Sequence, residues 1–178
     1  MGATLWNIRQ QTIDVSAKPM IMGVLNITPD SFSDGGEFFS TESAVEQGKR
    51  MAAEGAQIID VGGESTRPGA EGVSVDEELA RVIPVIAKLR ESVAAFISID
   101  TSKASVAGAA LDAGATIIND VTGGRSDPEM FAVAAERKAA LIIMHMQGTP
   151  RTMQAAPRYD DVVREVANFF RQQYDRVL

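Results

Sequence analysis

The chain has no cysteine and a single histidine, His145, in 178 residues. The first absence removes disulfides, thiolate nucleophiles and cysteine-based zinc sites, and suits a reducing cytosol. The second excludes a cage of several histidines around a metal. No run of Lys or Arg occurs and the net charge is −7. That balance argues against a sequence-independent grip on nucleic acid or on an anionic membrane, while leaving room for a local basic site for a phosphate. No apolar stretch approaches the roughly 20 residues of a membrane-spanning helix. The start, Met1-Gly2-Ala3-Thr4-Leu5-Trp6, has no basic-then-apolar signal pattern and puts Trp6 where myristoylation wants Ser or Thr. Asn26-Ile27-Thr28 matches a glycosylation acceptor formally, but Pro29 follows and no export signal precedes it. The expected location is cytoplasmic. What is present, 45% hydrophobic and 23% charged residues, is ordinary globular material, read as one domain over residues 1–178.

Five apolar runs each stop on a side chain able to bind or polarise something: Asn26, Asp60, Asp100, Asn119 and His145. Runs such as Met20-Ile21-Met22-Gly23-Val24-Leu25 and Phe96-Ile97-Ser98-Ile99 are too short for buried helices and read as parallel strands covered on both faces. The carboxyl ends of parallel strands are where α/β folds put their ligands.

Between these runs the chain predicts helices, after an N-terminal hairpin from Thr4 to Ile8 and Thr12 to Val15. The first helix spans about Ser43 to Ala53, with a Ser43/Glu46 capping box, an apolar stripe of Ala44, Val45, Gly48, Met51 and Ala52, and Gly55 as C-cap. The second opens on a Ser74/Glu77 box and carries Leu79, Val82, Ile83, Ile86 and Leu89, with Pro84 predicting a kink or early break. A third runs from about Ser102 to Asp112, and a fourth starts at Asp127-Pro128. The fifth covers Tyr159 to Val177, with Val162, Val163, Val166, Phe169, Phe170, Tyr174 and Val177 as its buried face. Met20, Met22, Met144 and Met146 read as core filler.

Gly55-Ala-Gln-Ile-Ile-Asp60 recurs weakly as Gly114-Ala-Thr-Ile-Ile-Asn119, at about two strand-helix units' distance. Repeated βα units without Gly-x-Gly-x-x-Gly or Gly-x-x-x-x-Gly-Lys weaken a dinucleotide or P-loop reading and favour an α/β fold of the (β/α)8 TIM-barrel type. A closed barrel takes about 250 residues, and only about five units are legible here, which leaves two apolar strand edges open.

Two loops on the ligand side stand out. Thr28-Pro-Asp-Ser-Phe-Ser-Asp-Gly-Gly36 carries carboxylates, glycines and an apolar tip; Gly62-Gly-Glu-Ser-Thr-Arg-Pro-Gly69 lets backbone approach a ligand and offers Arg67 as a planar fork. Either could be an exposed turn or a lid. Asp100 and Asn119 suit helix capping as well as ligand binding, Asp60 reads as a structural brace, and His145 as a strand-end histidine with no role assigned.

The runs Met22-Gly-Val-Leu-Asn-Ile-Thr-Pro-Asp-Ser-Phe-Ser-Asp-Gly-Gly36 and Ile59-Asp-Val-Gly-Gly-Glu-Ser-Thr-Arg-Pro-Gly69 resemble the paired signatures of the dihydropteroate synthase family. Ile99-Asp100-Thr101, Ile118-Asn-Asp-Val-Thr-Gly-Gly124 and Met144-His-Met-Gln-Gly148 follow in the family's order. The resemblance implies a transferase of folate biosynthesis that joins 6-hydroxymethyl-7,8-dihydropterin diphosphate to p-aminobenzoate and releases diphosphate. It associates Asn26 with Mg²⁺ and the diphosphate, and Thr66, Asp100 and Asn119 with the pterin. Phe32, Asp34 and Arg67 would form the aminobenzoate site and shelter a pterin cation, Asp34 and Arg67 as its catalytic groups. It admits a homodimer without requiring one.

Elementary chemistry is compatible with these roles. A pterin edge alternates donors and acceptors that a carboxylate and an amide can pair with, and a departing diphosphate suits a hard ion held by oxygens, hence Mg²⁺. A cation-like transition state needs nearby negative charge and shelter from water, which Asp34 on a closing loop would supply. The family's strands six to eight, with a further aspartate, a lysine and an arginine-histidine pair, have no counterpart before Leu178. The expectation is therefore a barrel incomplete at its C-terminus, holding about half of the active site, with little turnover on its own. Two other readings remain. A pterin-dependent methyltransferase domain would keep Asp100 and Asn119, but the Asp30–Gly36 loop argues against it. A non-catalytic pterin-binding paralogue would bind without consuming aminobenzoate.

Overall fold

The structure, a computed structural model, describes residues 2–16, 18–27, 41–65, 72–150 and 152–177. An antiparallel hairpin, β1 (Leu5–Ile8) and β2 (Gln11–Asp14), turns through Arg9 at φ 54°. Five βα units follow: β3 (Met22–Asn26), α1 (Thr41–Ala53), β4 (Ile58–Gly62), α2 (Val75–Ser92), β5 (Phe96–Asp100), α3 (Ala104–Ala113), β6 (Ile117–Asp120), α4 (Met130–Glu136), β7 (Ala140–Ile143) and α5 (Val162–Val177). The strands form one parallel sheet in sequence order, β3-β4-β5-β6-β7, the pattern of consecutive barrel units.

Strand alternation divides the sheet into two faces. On the outer face Leu25, Ile59, Val61, Ile97, Ile99 and Ile118 pack against Val82, Val85, Ile86 and Leu89 of α2 and Val106, Ala107 and Ala110 of α3 in one buried cluster. Each fully buried Ile or Leu there contributes about 1.5–3 kcal/mol. The inner face is layered. Its lowest layer, Met22, Ile58 and Phe96 in register, is apolar. With Ile117 and Ala140 it is sealed by Ile8, Trp6 and Ile13 of the hairpin, and Arg9 ties the hairpin turn to the Gly114 and Ala115 carbonyls at 3.3 Å each. Above it lies the register Val24, Asp60, Ser98, Ile117, Ala140; above that, Asn26, Gly62, Asp100, Asn119, Ile142.

Several details differ from what the sequence suggests. α2 runs unbroken through Pro84, because that residue faces solvent and so does Ala80, whose carbonyl loses its partner. α1 starts at Thr41, which places Ser43 inside the first turn rather than at the cap. α4 begins two residues beyond Pro128, and Asp127 serves two places: Oδ1 accepts from Glu129 N–H and Oδ2 from Ala104 N–H at the start of α3. α5 starts at Val162, where Asp161 caps Arg164 N–H and Glu165 reaches back to the Asp160 and Asp161 amides. Its apolar face is for the most part not buried: Val166 and Phe169 are half-buried, but Val163 is 76% and Tyr174 63% exposed, and Gln173 is its one buried residue. Only its middle is covered among the described residues, where the half-buried Phe169 packs against His145 and Gly123. Ser74 does cap α2, accepting from Glu77 N–H at 3.3 Å, and Gly55 ends α1 with φ 108°. No helix among the described residues is long and apolar enough to cross a membrane.

Candidate functional site

Three of the seven candidate site residues lie in the described part, and the sheet brings them to one row. Parallel pairing sets Asn26 opposite Gly62, Gly62 opposite Asp100, and Asp100 opposite Asn119. Adjacent strands stand about 4.8 Å apart, so Asp100 and Asn119 are spaced to meet one edge of a flat heterocycle. Gly62 keeps the row open: a Cβ there would stand 3.4 Å from Asn26 Oδ1 and 3.6 Å from Asp100 Oδ2. Phe32, Asp34, Thr66 and Arg67 lie outside the described residues.

Asp100 has no hydrogen-bond donor among the described residues. Its carboxyl is pushed up to about 7, first by burial and then by the charges of Asp60, Glu78, Asp120 and Glu64. A half-buried carboxyl in that state is a ready acceptor for a ligand N–H. It does not cap α3: the N-cap there is Lys103, and the carboxylate supplied to Ala104 N–H is Asp127. Asn119 does not cap a helix either. Its Nδ2 donates to Asp60 Oδ2 at 2.9 Å. Asp60, 2% exposed and in mid-strand, thus braces a neighbouring side chain. Burial raises its carboxyl, with Ser98 and Asn119 offsetting part of that. Asp60 Oδ1 and Ser98 Oγ are nonetheless left without a hydrogen-bond partner.

Two carboxylates beside the site, Glu64 and Glu78, are held by a group that the sequence reading did not single out. Lys103 Nζ donates to Glu78, at 2.6 Å, and to Glu64. Burial acts to lower the ammonium's pKa, but the two carboxylates outweigh it and hold it above its ordinary value. Glu78 is fully buried and belongs to α2, while Glu64 is the second residue after β4. Arg81 reinforces the same point, donating to Gly63 O at 2.8 Å and pairing with Glu77. The root of the 62–69 segment is therefore fixed by α2 and Lys103. One signal was available: Glu78 stands four residues before Val82 on the buried stripe of α2, where a charge demands a partner.

Asp120 is the acceptor at the heart of the β6–α4 turn, bonded to Thr122 N–H, Thr122 O–H and Gly124 N–H. The turn needs glycine at 123 and 124, whose φ angles are 62° and 73° and whose missing side chains admit the Phe169 and Phe131 rings. His145, two residues beyond β7, lies against Tyr159 and Phe169, with ring centroids 5.8 and 5.1 Å away. No group of three or more His, Cys, Asp or Glu is placed to hold a metal among the described residues; Asn26 contributes one exposed amide oxygen.

Residues 22–178 match the pterin-binding enzyme family. The chain is 51% identical over 168 residues to a dihydropteroate synthase of Synechocystis sp., a match covering 94% of this chain and 58% of that relative. Among solved structures, it resembles Yersinia pestis dihydropteroate synthase in a sulfonamide drug complex, with TM-score 0.87, 43% identity, and 98% of this chain and 62% of that one covered. It also resembles Xanthomonas albilineans dihydropteroate synthase with 4-aminobenzoic acid, with TM-score 0.84, 44% identity, and 97% and 60% covered. The chain thus spans under two thirds of the length of these relatives.

Proposed function

The chain belongs to the pterin-binding enzyme family, and from that premise we propose that it is the pterin-holding part of a dihydropteroate synthase. The observation that carries the reading is the row Asn26, Gly62, Asp100, Asn119 on one face of the sheet. The pterin edge, with its ring N–H and exocyclic amino group, pairs with Asp100 and Asn119. In the reaction the bond between the pterin methylene carbon and the diphosphate oxygen breaks, the electron pair leaving with diphosphate. The amine nitrogen of p-aminobenzoate then bonds to that carbon and loses a proton. Negative charge around Asp100 favours the positive character that develops on the pterin as diphosphate leaves. Thr66 and Phe32 belong to the substrate contacts of this reading, and Asp34 and Arg67 to its catalytic groups.

Asn26 supplies one neutral, exposed oxygen, which fits a hard cation that keeps most of its ligands as water and phosphate. Mg²⁺ bound there would neutralise the departing diphosphate. A cytoplasmic location and a homodimer complete the proposal on the family resemblance, and sedimentation velocity checks the latter. Incubating the protein with 6-hydroxymethyl-7,8-dihydropterin diphosphate, p-aminobenzoate and Mg²⁺ tests the activity. Dihydropteroate and diphosphate are expected in equal amounts but at a low rate from this chain alone; tight pterin binding with no aminobenzoate consumed at all would favour a binding paralogue instead.

A further inference from the structure

We propose that Asp60 is a positioning residue that fixes which end of the Asn119 amide faces the ligand, and so makes the site selective for a heterocycle with an exocyclic amino group at the matching point of its edge. The inference deepens the pterin reading and rests on it. The two ends of an asparagine amide are nearly the same shape, one a double acceptor and the other a double donor. Nothing in Asn119 itself decides between them. Asp60 does: its Oδ2 accepts from Asn119 Nδ2 at 2.9 Å from one layer deeper in the inner face. The opposite orientation would set an amide oxygen against a carboxylate oxygen. With Nδ2 drawn inward, Oδ1 and the second N–H are left for a ligand in a fixed order.

The arrangement survives protonation of Asp60. Of the two carboxyl oxygens, Oδ1 is the one without a partner, beside the equally unpartnered Ser98 Oγ. A proton taken up by this buried carboxyl settles there and leaves Oδ2 as the acceptor. The faint repeat acquires a meaning as well: its two copies end on Asp60 and Asn119, fifty-nine residues apart, and these ends bond each other.

The plain alternative is that the bond only ties β4 to β6 across β5. Asp60→Asn separates the two, because an isosteric amide can donate to Asn119 Oδ1 and lets Asn119 turn. The full chain is titrated calorimetrically with 6-hydroxymethylpterin and with its 2-deamino analogue. Asp60→Asn is expected to weaken the pterin at least tenfold and the analogue less than twofold, with the Asp60→Asn/Asn119→Ala double variant no weaker than Asn119→Ala alone. Equal losses for both ligands, or additive losses in the double variant, overturn the proposal. Should the variant fail to fold, the side-chain amide resonances of Asn119 in the unaltered protein still decide: one Nδ2 proton protected from exchange supports it, two freely exchanging protons refute it. If the unaltered protein binds no pterin, the functional reading falls, while the same resonances report separately on the Asp60–Asn119 bond.

Discussion

The outer and inner faces of the sheet are made by the same five strands and obey opposite rules. Outside, Ile59, Ile99 and Ile118 are completely buried against helices and leave nothing unsatisfied. Inside, one residue along, Asp60 and Ser98 share a layer with two orphaned oxygens, and in the row above them Asn119 stands beside Asp100, whose carboxyl is raised to about 7. Polar groups removed from water without partners cost free energy. Two of the three such oxygens among the described residues lie on the inner face, the third being Glu78 Oε1 on α2, and with Asp100 above them they mark the inner face as one shaped by something other than stability.

The largest effect is expected at Lys103, which compensates the buried Glu78 of α2 and ties it to Glu64 beyond β4. Lys103→Met leaves a buried carboxylate alone and should destabilise by about 3–5 kcal/mol, read by urea unfolding; adding Glu78→Leu should restore most of the loss. Next is a pair of neighbours in β5. Ile99→Ala, on the outer face, should cost about 2–5 kcal/mol, whereas Ser98→Ala, which deletes an orphaned hydroxyl, should change stability by less than about 1 kcal/mol or raise it. Equal effects would erase the distinction between faces.

Asp100 sharpens the comparison through pH. Its unfolded value is 3.8 and its folded value about 7, so between those limits the folded chain keeps a proton that the unfolded chain releases. Stability therefore falls as pH rises through that window, and the group's penalty is fully present above it. Asp100→Asn should raise stability at pH 8, by at most about 4 kcal/mol, and add nothing near pH 4; thermal melts at both pH values check this. A still smaller effect tests ordinary helix chemistry away from either face: Ser74→Ala should cost about 1 kcal/mol through its lost cap.

Much of this was legible in the sequence because the signals were local. Short apolar runs gave the strands, Gly55 and Ser74 the helix ends, and the polar tips Asn26, Asp100 and Asn119 the row where the candidate site lies. What escaped depended on side chains meeting across the fold. Glu78 and Lys103 are twenty-five residues apart and Asp60 and Asn119 fifty-nine, and neither pairing is written in a local pattern. Asp60 read as a brace and is one, for Asn119. α5 failed for a related reason: periodicity shows which face of a helix is apolar, but not what covers it, and Val163 and Tyr174 are exposed. Pro84 brings no break because its effect depends on whether the freed carbonyl can reach water, and Ala80 is exposed.

The central claim is that the upper row of the inner face is the floor on which a pterin lies. Titration calorimetry with 6-hydroxymethyl-7,8-dihydropterin diphosphate, on the unaltered protein and on Asp100→Asn and Asn119→Ala, tests it most directly. The account predicts that each substitution weakens binding by about tenfold or more, the scale of a lost hydrogen bond to a charged or buried group, with the folded state retained. Undiminished affinity in both variants would contradict it.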